Sequence, residues 1–414
     1  MTGSLQRVMG TCCAAFVLVG AAGFGVAVTR GAAPRAWEAF LVNLLFWLGI
    51  AQGGVVVSAS LYLTHAHWGG ARVYRLAEGF AGFLPLGFLL FWALFPGRET
   101  LFPWVRHPLP EKAAWLNVSF LFERDGGGLL LMTLLSVWFI CSSQRDDAVR
   151  WAESPASIEL PPRTIRRLAS AVILAYTVVY SILAFDLVMS LSPVWYSTLF
   201  GAYFFAGAYW SALAAMGLVA SLGLRPVPQG CGAGSRDSLR DLGKLVFAFS
   251  NFWAYLLWSQ YLPIWYAGIP EETFFVVQRV HRLPWGITAW VALTLVWIIP
   301  FLGLIGRKGK QTPAIFGVVC ALGLIGMWLE RYVLVTPSLS PTGIPFGWVE
   351  ALITAGFLGA FGLCTLPGLR LVPAAVNYFI CDDHFTNSDY LQESTTLARE
   401  GQGPRHNPPG CPRT

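Results

Sequence analysis

The sequence predicts an all-α integral membrane protein with about ten transmembrane helices. Of its 414 residues, 55% are hydrophobic and only 12% are charged, whereas soluble domains carry roughly 25% charged residues. The mean hydropathy of +0.57 holds over the full length, so the apolar character is not confined to one anchor. The 18 Trp and 29 Phe are typical of a lipid-facing surface bordered by aromatic belts.

Ten windows of the length needed to cross a bilayer are predominantly apolar. They predict a transmembrane domain over 1–369, with spans at 11–29, 37–63, 79–97, 126–143, 168–190, 196–224, 243–266, 284–305, 312–335 and 347–369. The first window could also be a signal peptide, but the apolar windows that follow at once favour a first span. The polar segment 370–414 is predicted to be a cytoplasmic tail, with a disordered end rich in Pro and Gly.

The basic residues are distributed unevenly between the two sides that these spans define. Of the 28 Lys and Arg residues, 19 lie on the side of the termini and 9 on the other side. The positive-inside rule therefore places both termini in the cytoplasm. Since topology accounts for much of the net charge of +6, the composition predicts contact with membrane lipid and argues against a nucleic-acid partner.

Recognisable cofactor motifs are absent from the sequence. The eight Cys form no C-x-x-C or C-x-x-C-H motif, which argues against a c-type haem, a zinc ribbon or an iron–sulfur cluster. The six His lie in loops or at span ends, so a bis-histidine haem b is not expected either. No P-loop is present. The prediction is a chain without a metal site or a covalently bound cofactor.

Ionisable residues at membrane depth are costly and need a physical reason. Asp186 lies about two turns before the outer end of the fifth span, and other charged residues lie near it on the predicted outer side. The candidates for proton transfer or for contact with a quinone headgroup are Asp186, Glu330, Arg331, Glu350, Glu271 and Glu272. Two alternatives remain open: Glu330 and Arg331 pair with each other or with neighbouring helices, or they snorkel to water.

Two further groups of polar residues lie within or between the predicted spans. On the inner side, between spans two and three, the residues are His65, His67, Arg72, Arg75 and Glu78. They are interpreted either as a proton entry, with His65, His67 and Glu78 as the titrating groups, or as an interfacial anchor with ion pairs. Four amides lie inside spans, and hydrogen bonds between helices are expected for them: Asn43, Gln52, Asn251 and Gln260.

Several blocks of the sequence carry a resemblance to a known family. They are LAEGFAGFLP at 76–85, FPWVRHP at 102–108, PEKAAWLN at 110–117, FDLVMSL at 185–191, WYST at 195–198, FGAY at 200–203 and WSQYLPIWYAGIPEET at 258–273. Together they resemble the NrfD/PsrC-like membrane subunits of alternative complex III, a bacterial quinol:cytochrome c oxidoreductase. The loop at 107–117 makes the chain similar to the second, ActF-type subunit. Gly268 departs from the pattern, in which Asn is expected.

The resemblance, which covers about 36–369, implies a fold of two four-helix bundles plus flanking helices. It implies a place in the bacterial inner membrane, within a respiratory chain. The implied partners are a second NrfD-like subunit, an iron–sulfur subunit and c-type cytochrome subunits, which would hold the iron–sulfur and c-type haem centres. Quinol oxidation belongs to the first NrfD-like subunit in this family, and the second is a proton-conducting or structural partner. Three alternatives remain open for this chain: it binds a quinone or quinol itself, it is a proton-coupled secondary transporter, or it is a structural anchor without chemistry.

Overall fold

A computed structural model of the chain describes residues 3–64, 66, 70–153, 162–223 and 233–370. Within these ranges the chain is almost entirely helical and contains no β-strand. His65, His67 and residues 371–414 of the predicted tail lie outside the described residues.

The first half of the chain forms eight α-helices. They are α1 (Gly3–Thr29), α2 (Ala33–Leu63), α3 (Gly70–Gly79), α4 (Leu84–Trp92), α5 (Arg98–Leu101), α6 (Pro103–Arg106), α7 (Val118–Glu153) and α8 (Arg163–Leu187). Short 3₁₀ turns join some of them, at Phe80–Phe83, Phe95–Gly97, Pro110–Lys112 and Met189–Leu191. The 3₁₀ turn at Phe80–Phe83 joins α3 to α4, so together with α5 they make one continuous crossing.

The second half forms eight more helices, and π-helical turns follow two of them. They are α9 (Phe200–Gly223), α10 (Ala233–Ala267), α11 (Pro270–Val276), α12 (Trp285–Leu293), α13 (Ile299–Leu304), α14 (Arg307–Gln311), α15 (Pro313–Leu339) and α16 (Trp348–Arg370). The π turns follow α11 and α12 and cover Val277–His281 and Thr294–Ile298. The second of them lies between α12 and α13 in the middle of a span, and π turns of this kind occur often at functional sites.

Nine helical segments within the described ranges are long and apolar enough to cross a membrane, and they lie over nine of the ten predicted spans. The architecture is that of an all-α, multi-pass membrane protein. The predicted seventh span, 243–266, lies within α10, which has 35 residues and is therefore roughly 50 Å long. It is not among the nine apolar segments, because Asn251, Gln260 and several Trp and Tyr residues dilute its hydropathy.

The core of the fold forms around α2 and α9, which pack against each other. On one side of this pair, α3, α4, α7 and α8 complete a group of helices. On the other side, α10, α12, α13 and α15 form a second group, and α9 contacts both. The side chains of α2 are buried along almost its whole length, which explains how Asn43 and Gln52 come to lie inside the protein.

The helices α1 and α16 form a flanking pair. They pack along each other, whereas α1 makes few contacts with α2 and most of its apolar residues are exposed to the surroundings. At the closest approach, a Cβ on Gly20 would collide with the backbone of Gly356. Small residues that allow two backbones to approach are the usual means of helix association in a membrane.

Gly268 ends α10 with a left-handed backbone conformation. Its φ is +63°, and its N–H donates to the Ile264 carbonyl at 3.2 Å, as at many helix C-termini. Asn is the other residue that adopts this conformation readily. The departure of Gly268 from the family pattern therefore preserves the turn.

The helix bundle has two ends, and most of the longer segments that connect helices lie at one of them. We call it the loop-rich end; it contains residues 102–117, 188–199, 268–284 and 340–347. Its segments are hydrogen-bonded to one another: Lys112 Nζ donates to the Pro193 carbonyl at 2.6 Å, and the Ser192 and Ser338 hydroxyls are 2.9 Å apart. The opposite end contains α14, the C-terminus of α2 at Leu63 and the C-terminus of α9 at Gly223.

Candidate functional site at the loop-rich end

Asp186 lies in the last turn of α8 and is completely buried. It is closer to the helix end than the predicted two turns, because the fifth span finishes with the 3₁₀ turn Met189–Leu191. Two side chains donate to its carboxylate: Trp115 Nε1 at 2.9 Å and Arg124 Nε at 2.8 Å. A second guanidinium nitrogen of Arg124 also contacts the carboxylate. Asp186 is therefore held in a charge-assisted network.

Arg124 and Asp125 lie inside the bundle, although the sequence placed them in the connection 98–125. This prediction was wrong because α7 begins at Val118, so that both residues are helical. The Arg124 guanidinium stacks on the ring of Trp115 at 3.9 Å and on the ring of Phe120 at 4.4 Å. These aromatic contacts and the ion pair with Asp186 compensate the cost of burying the charge.

Asp125 is a second buried carboxylate beside Asp186. It is 1% exposed, and the two carboxyl groups are close enough to interact. Neither oxygen of Asp125 has a donor from another side chain or from the backbone. Two carboxylates this close do not both ionise readily beside a single guanidinium in an apolar setting, so the pair can hold one shared proton.

Glu330 and Arg331 form a second buried pair, in the C-terminal half of α15. They are 4% and 2% exposed, and Arg331 Nη1 lies 3.1 Å from Glu330 Oε2. Arg331 also donates to the Phe204 carbonyl at 3.0 Å and stacks on the Phe204 ring. The pairing alternative is confirmed, and the snorkelling alternative is wrong because α15 continues to Leu339 and both side chains are buried against neighbouring helices.

Glu330 borders a large cavity in the second helix group. The cavity has a volume of about 750 Å³, within the usual range of small-molecule sites. Its walls are mostly aromatic and aliphatic, and they include Phe200, Tyr203, Trp253, Tyr255, Trp258, Tyr261, Trp265, Phe275, Ala289, Trp290, Leu293, Trp297 and Val333. Four of the lining residues carry a buried polar atom without a hydrogen-bond partner: Glu330 Oε2, Gln260 Oε1, Trp253 Nε1 and Arg279 Nε.

Arg279 lies on the first π turn and is 4% exposed. Its guanidinium donates to the carbonyls of Phe275 at 3.2 Å and Leu334 at 2.8 Å, and to the hydroxyl of Ser338 at 2.6 Å. It also stacks on the Phe275 ring at 3.4 Å. Burial lowers the pKa of Arg279 to about 9, which leaves the side chain charged at neutral pH. The sequence places this residue among the basic residues of a connection between two predicted spans.

Glu350 takes part in an ion pair and in the cap of α16. Its carboxylate binds the guanidinium of Arg35 through two nitrogens, at 3.0 and 2.8 Å. It also accepts from the backbone N–H of Gly347 at 2.7 Å. Because Glu350 is the third residue of α16, this is the return bond of a capping box. Nearby, Glu38 is 4% exposed and accepts from the Ser340 hydroxyl at 3.1 Å; the sequence analysis did not single it out.

Glu271 and Glu272 lie in the first turn of α11. Glu271 is exposed and Glu272 is half-buried, and neither lines the cavity. Negative charge in the first turn of a helix is favourable. The helix dipole therefore explains why two glutamates occur at this position, and proton transfer is not needed to explain them.

Glu78 belongs to a completely bonded cluster at the opposite end. One of its oxygens accepts from Ser58 at 3.0 Å and from Ser143 at 2.9 Å. The other accepts from Arg75. The ion-pair interpretation is therefore confirmed for Glu78, while His65 and His67 are outside the part of the chain that can be compared.

Three of the four intramembrane amides bridge helices, as expected. Asn43 Nδ2 donates to Thr354 at 3.0 Å, Gln52 Nε2 donates to Ser136 at 2.9 Å, and Asn251 Oδ1 accepts from Trp297 at 3.1 Å. Gln260 differs, because its Oε1 has no partner and faces the cavity.

The loop-rich end therefore offers two distinct chemical settings. One is a carboxyl pair around Arg124 that can hold a proton, and the other is an apolar cavity bordered by Glu330 and Arg279. No protein-family model matches the chain, and no curated protein matches it in sequence.

Proposed function

We propose that the chain is a membrane subunit of a bacterial respiratory quinol:cytochrome c oxidoreductase and that it conducts protons through buried carboxyl groups. The observation that carries this proposal is the carboxyl pair of Asp125 and Asp186, buried in an apolar bundle beside one guanidinium. Ionisable groups at membrane depth are characteristic of proton relays. A carboxyl pair that shares a proton can gain and lose it without moving the helices that carry it.

The residues behind the family resemblance support the proposal. Trp115 and Asp186 belong to separate blocks of that resemblance, yet their side chains meet at 2.9 Å. The two helix groups around α2 and α9, with the flanking pair α1 and α16, are compatible with two four-helix bundles plus flanking helices. This likeness is one of fold and motif, and the chemistry is argued from the carboxyl pair itself.

In the proposed assembly, the chain lies in the bacterial inner membrane with both termini in the cytoplasm and the loop-rich end outside. Its partners are a second NrfD-like subunit, which oxidises the quinol, and the iron–sulfur and c-type cytochrome subunits, which carry the electrons. Quinol oxidation releases protons as well as electrons. Asp125 and Asp186 lie at the proposed outer end, where they would pass protons between the membrane interior and the aqueous phase.

Purification of the chain with its natural partners tests the proposed assembly. A tag on this chain, gentle detergent extraction, a reduced-minus-oxidised spectrum and mass spectrometry of the co-purifying proteins form one experiment. We expect a c-type haem signal, an iron–sulfur protein and a second NrfD-like protein. A colourless chain that purifies alone and intact would contradict the assembly.

The proton-conducting role is tested by Asp125→Asn. A neutral amide keeps the shape of the carboxyl group but cannot exchange a proton at neutral pH, and Arg124 keeps its pair with Asp186. We expect proton-coupled quinol turnover to fall about 100-fold, the lower range for loss of a group that transfers protons. Glu111→Gln, a change at an exposed residue of the same end, is the matched control. Unchanged turnover in Asp125→Asn and in Glu330→Gln would favour a structural anchor.

A secondary transporter is the second candidate, and the cavity beside two π turns favours it. Transporters place their substrate sites where helices are interrupted, and the π turn Thr294–Ile298 interrupts a span whose residues Leu293 and Trp297 line the cavity. Reconstitution of this chain alone in liposomes separates the two functions. Substrate uptake driven by a proton gradient would favour the transporter, and its absence together with haem-containing partners would favour the respiratory subunit.

A further inference from the structure

Arg279 is a buried cation without a counter-ion. Its three hydrogen-bond acceptors are two carbonyls and a hydroxyl, which satisfy N–H groups but do not cancel the charge. No carboxylate pairs with it anywhere in the described ranges, and its Nε has no partner. Burying an unpaired charge in an apolar interior is unfavourable, so a ligand that supplies negative charge would be bound strongly.

The cavity that Arg279 lines has no uncompensated negative charge among the described residues. Glu330 also borders it, but Arg331 lies 3.1 Å from its carboxylate and neutralises it. Of the remaining polar groups of the wall, Gln260 is a neutral amide and His281 can only add positive charge. The cavity is therefore apolar with a net positive charge at Arg279.

The cavity opens to the side, towards lipid. Trp258 and Trp265 of α10 and Trp290 of α12 line it and are 57%, 63% and 57% exposed. Trp residues in such positions mark the interface between the bilayer and water. The exposure of these Trp side chains fits a mouth between α10 and α12 at the depth of lipid headgroups, through which a ligand would enter from the bilayer.

We propose that this cavity binds the anionic head of a membrane amphiphile, a carboxylate or a phosphate on an apolar chain, with Arg279 as its counter-ion. The guanidinium presents its unpartnered Nε–H, and the aromatic walls surround the first part of the chain, which continues through the mouth into the bilayer. Guanidinium groups bind carboxylate and phosphate with well-matched geometry. A fatty acid and an anionic phospholipid share this chemistry, whereas a neutral quinone would leave the charge of Arg279 uncompensated.

Native mass spectrometry of the delipidated protein, with the partners that co-purify, tests the site. The probes are oleate, dioleoylphosphatidylglycerol and, as the zwitterionic reference, dioleoylphosphatidylcholine. We expect at least one anionic probe to be retained in preference to the reference lipid, and retention of oleate or of phosphatidylglycerol alone identifies the source of the anion. Arg279→Gln should weaken that binding about 30-fold or more, because it removes one partner of a buried charge pair.

Matched variants separate the site from general lipid binding. Arg282→Gln removes a neighbouring exposed charge and should leave the preference unchanged. Arg279→Lys keeps the charge and should retain the preference. Ala289→Trp fills the cavity without changing any charge and should weaken binding even if Arg279→Gln does not accumulate.

Equal retention of anionic and zwitterionic probes, or an anionic preference that survives both Arg279→Gln and Ala289→Trp, would overturn the proposal. Displacement of the probes by a neutral short-chain quinone that binds Arg279→Gln equally well would overturn it too.

Discussion

Glu78 and Glu330 are both buried carboxylates beside an arginine of their own helix, but they differ in how completely they are bonded. Glu78 accepts from Ser58, Ser143 and Arg75, so that both of its oxygens are bonded. Glu330 has an ion pair with Arg331, but its Oε2 lacks a well-aligned donor and it borders a cavity. A carboxylate with both oxygens bonded holds its neighbouring side chains in place. A carboxylate with an unbonded oxygen can gain a proton or contact a ligand without breaking existing hydrogen bonds.

The pair of Asp186 and Asp125 contains one carboxyl group of each kind. Asp186 is bonded to Trp115 and Arg124, whereas the oxygens of Asp125 have no donor, and Arg124 is the cation beside both. Arg124→Gln should therefore have the largest effect on stability, since it leaves both carboxyl groups buried without a counter-ion. We expect a loss of about 3 kcal/mol or more in the free energy of unfolding, as for other broken buried pairs. Thermal unfolding in detergent measures it. Arg98→Gln, which breaks the partly exposed pair with Glu99, should change the stability by less than about 1 kcal/mol.

Glu78→Gln and Glu330→Gln compare the two kinds of carboxylate directly. We expect Glu78→Gln to lower the free energy of unfolding by about 2 kcal/mol, because hydrogen bonds to a charged group are lost, and to leave the turnover of the folded protein unchanged. Glu330→Gln leaves the buried Arg331 without a carboxylate, so it should cost about 3 kcal/mol, and it should also reduce turnover about tenfold or more. Unfolding and quinol turnover are measured on the same preparations. A larger loss of turnover in Glu78→Gln than in Glu330→Gln would refute the distinction.

Glu350 provides a milder case, since its partner Arg35 is partly exposed and the pair is screened by solvent. Glu350→Ala removes the capping bond to Gly347 as well as the ion pair and should cost about 1 kcal/mol. Glu350→Gln should cost less, because Gln also completes a capping box. Turnover should be the same in both variants, and a tenfold loss of turnover in Glu350→Gln would show that this carboxylate takes part in proton transfer.

The smallest effect is expected at α11. Glu271→Gln and Glu272→Gln each remove a negative charge from the first turn of a short helix, which is worth about 0.5 kcal/mol or less at an exposed position. Neither variant should alter turnover or lipid retention. A measurable change in lipid binding would indicate that the mouth of the cavity extends to this turn.

The spans were predictable because a long, uninterrupted apolar window is typical of a membrane-spanning helix and uncommon elsewhere in proteins. The predicted seventh span falls within the helix α10 but is not among the nine apolar segments, because Asn251 and Gln260 weaken its signal. The buried position of Arg124 and Asp125 was not predictable from the same pattern. Charged residues next to an apolar window are usually outside the membrane, and only the contact with Asp186, 62 residues away for Arg124, places them inside.

The candidate site was therefore predictable in part. Asp186 and Glu330 stand out because they interrupt apolar windows, and both prove to be buried. Arg279 lies between windows and was counted with the connecting residues; its burial depends on the packing of the π turn that follows α11 against α15. The block that contains Trp115 marked that residue, but its contact with the carboxylate follows from tertiary structure alone.

The close approach of Gly20 and Gly356 has a consequence for biogenesis. The ribosome completes α1 long before α16, yet α16 is the helix against which α1 chiefly packs. During insertion α1 must therefore stay in the bilayer with only its few contacts to α2, while most of the chain is translated. Membrane integration of this chain thus ends with the capture of its first described span by its last.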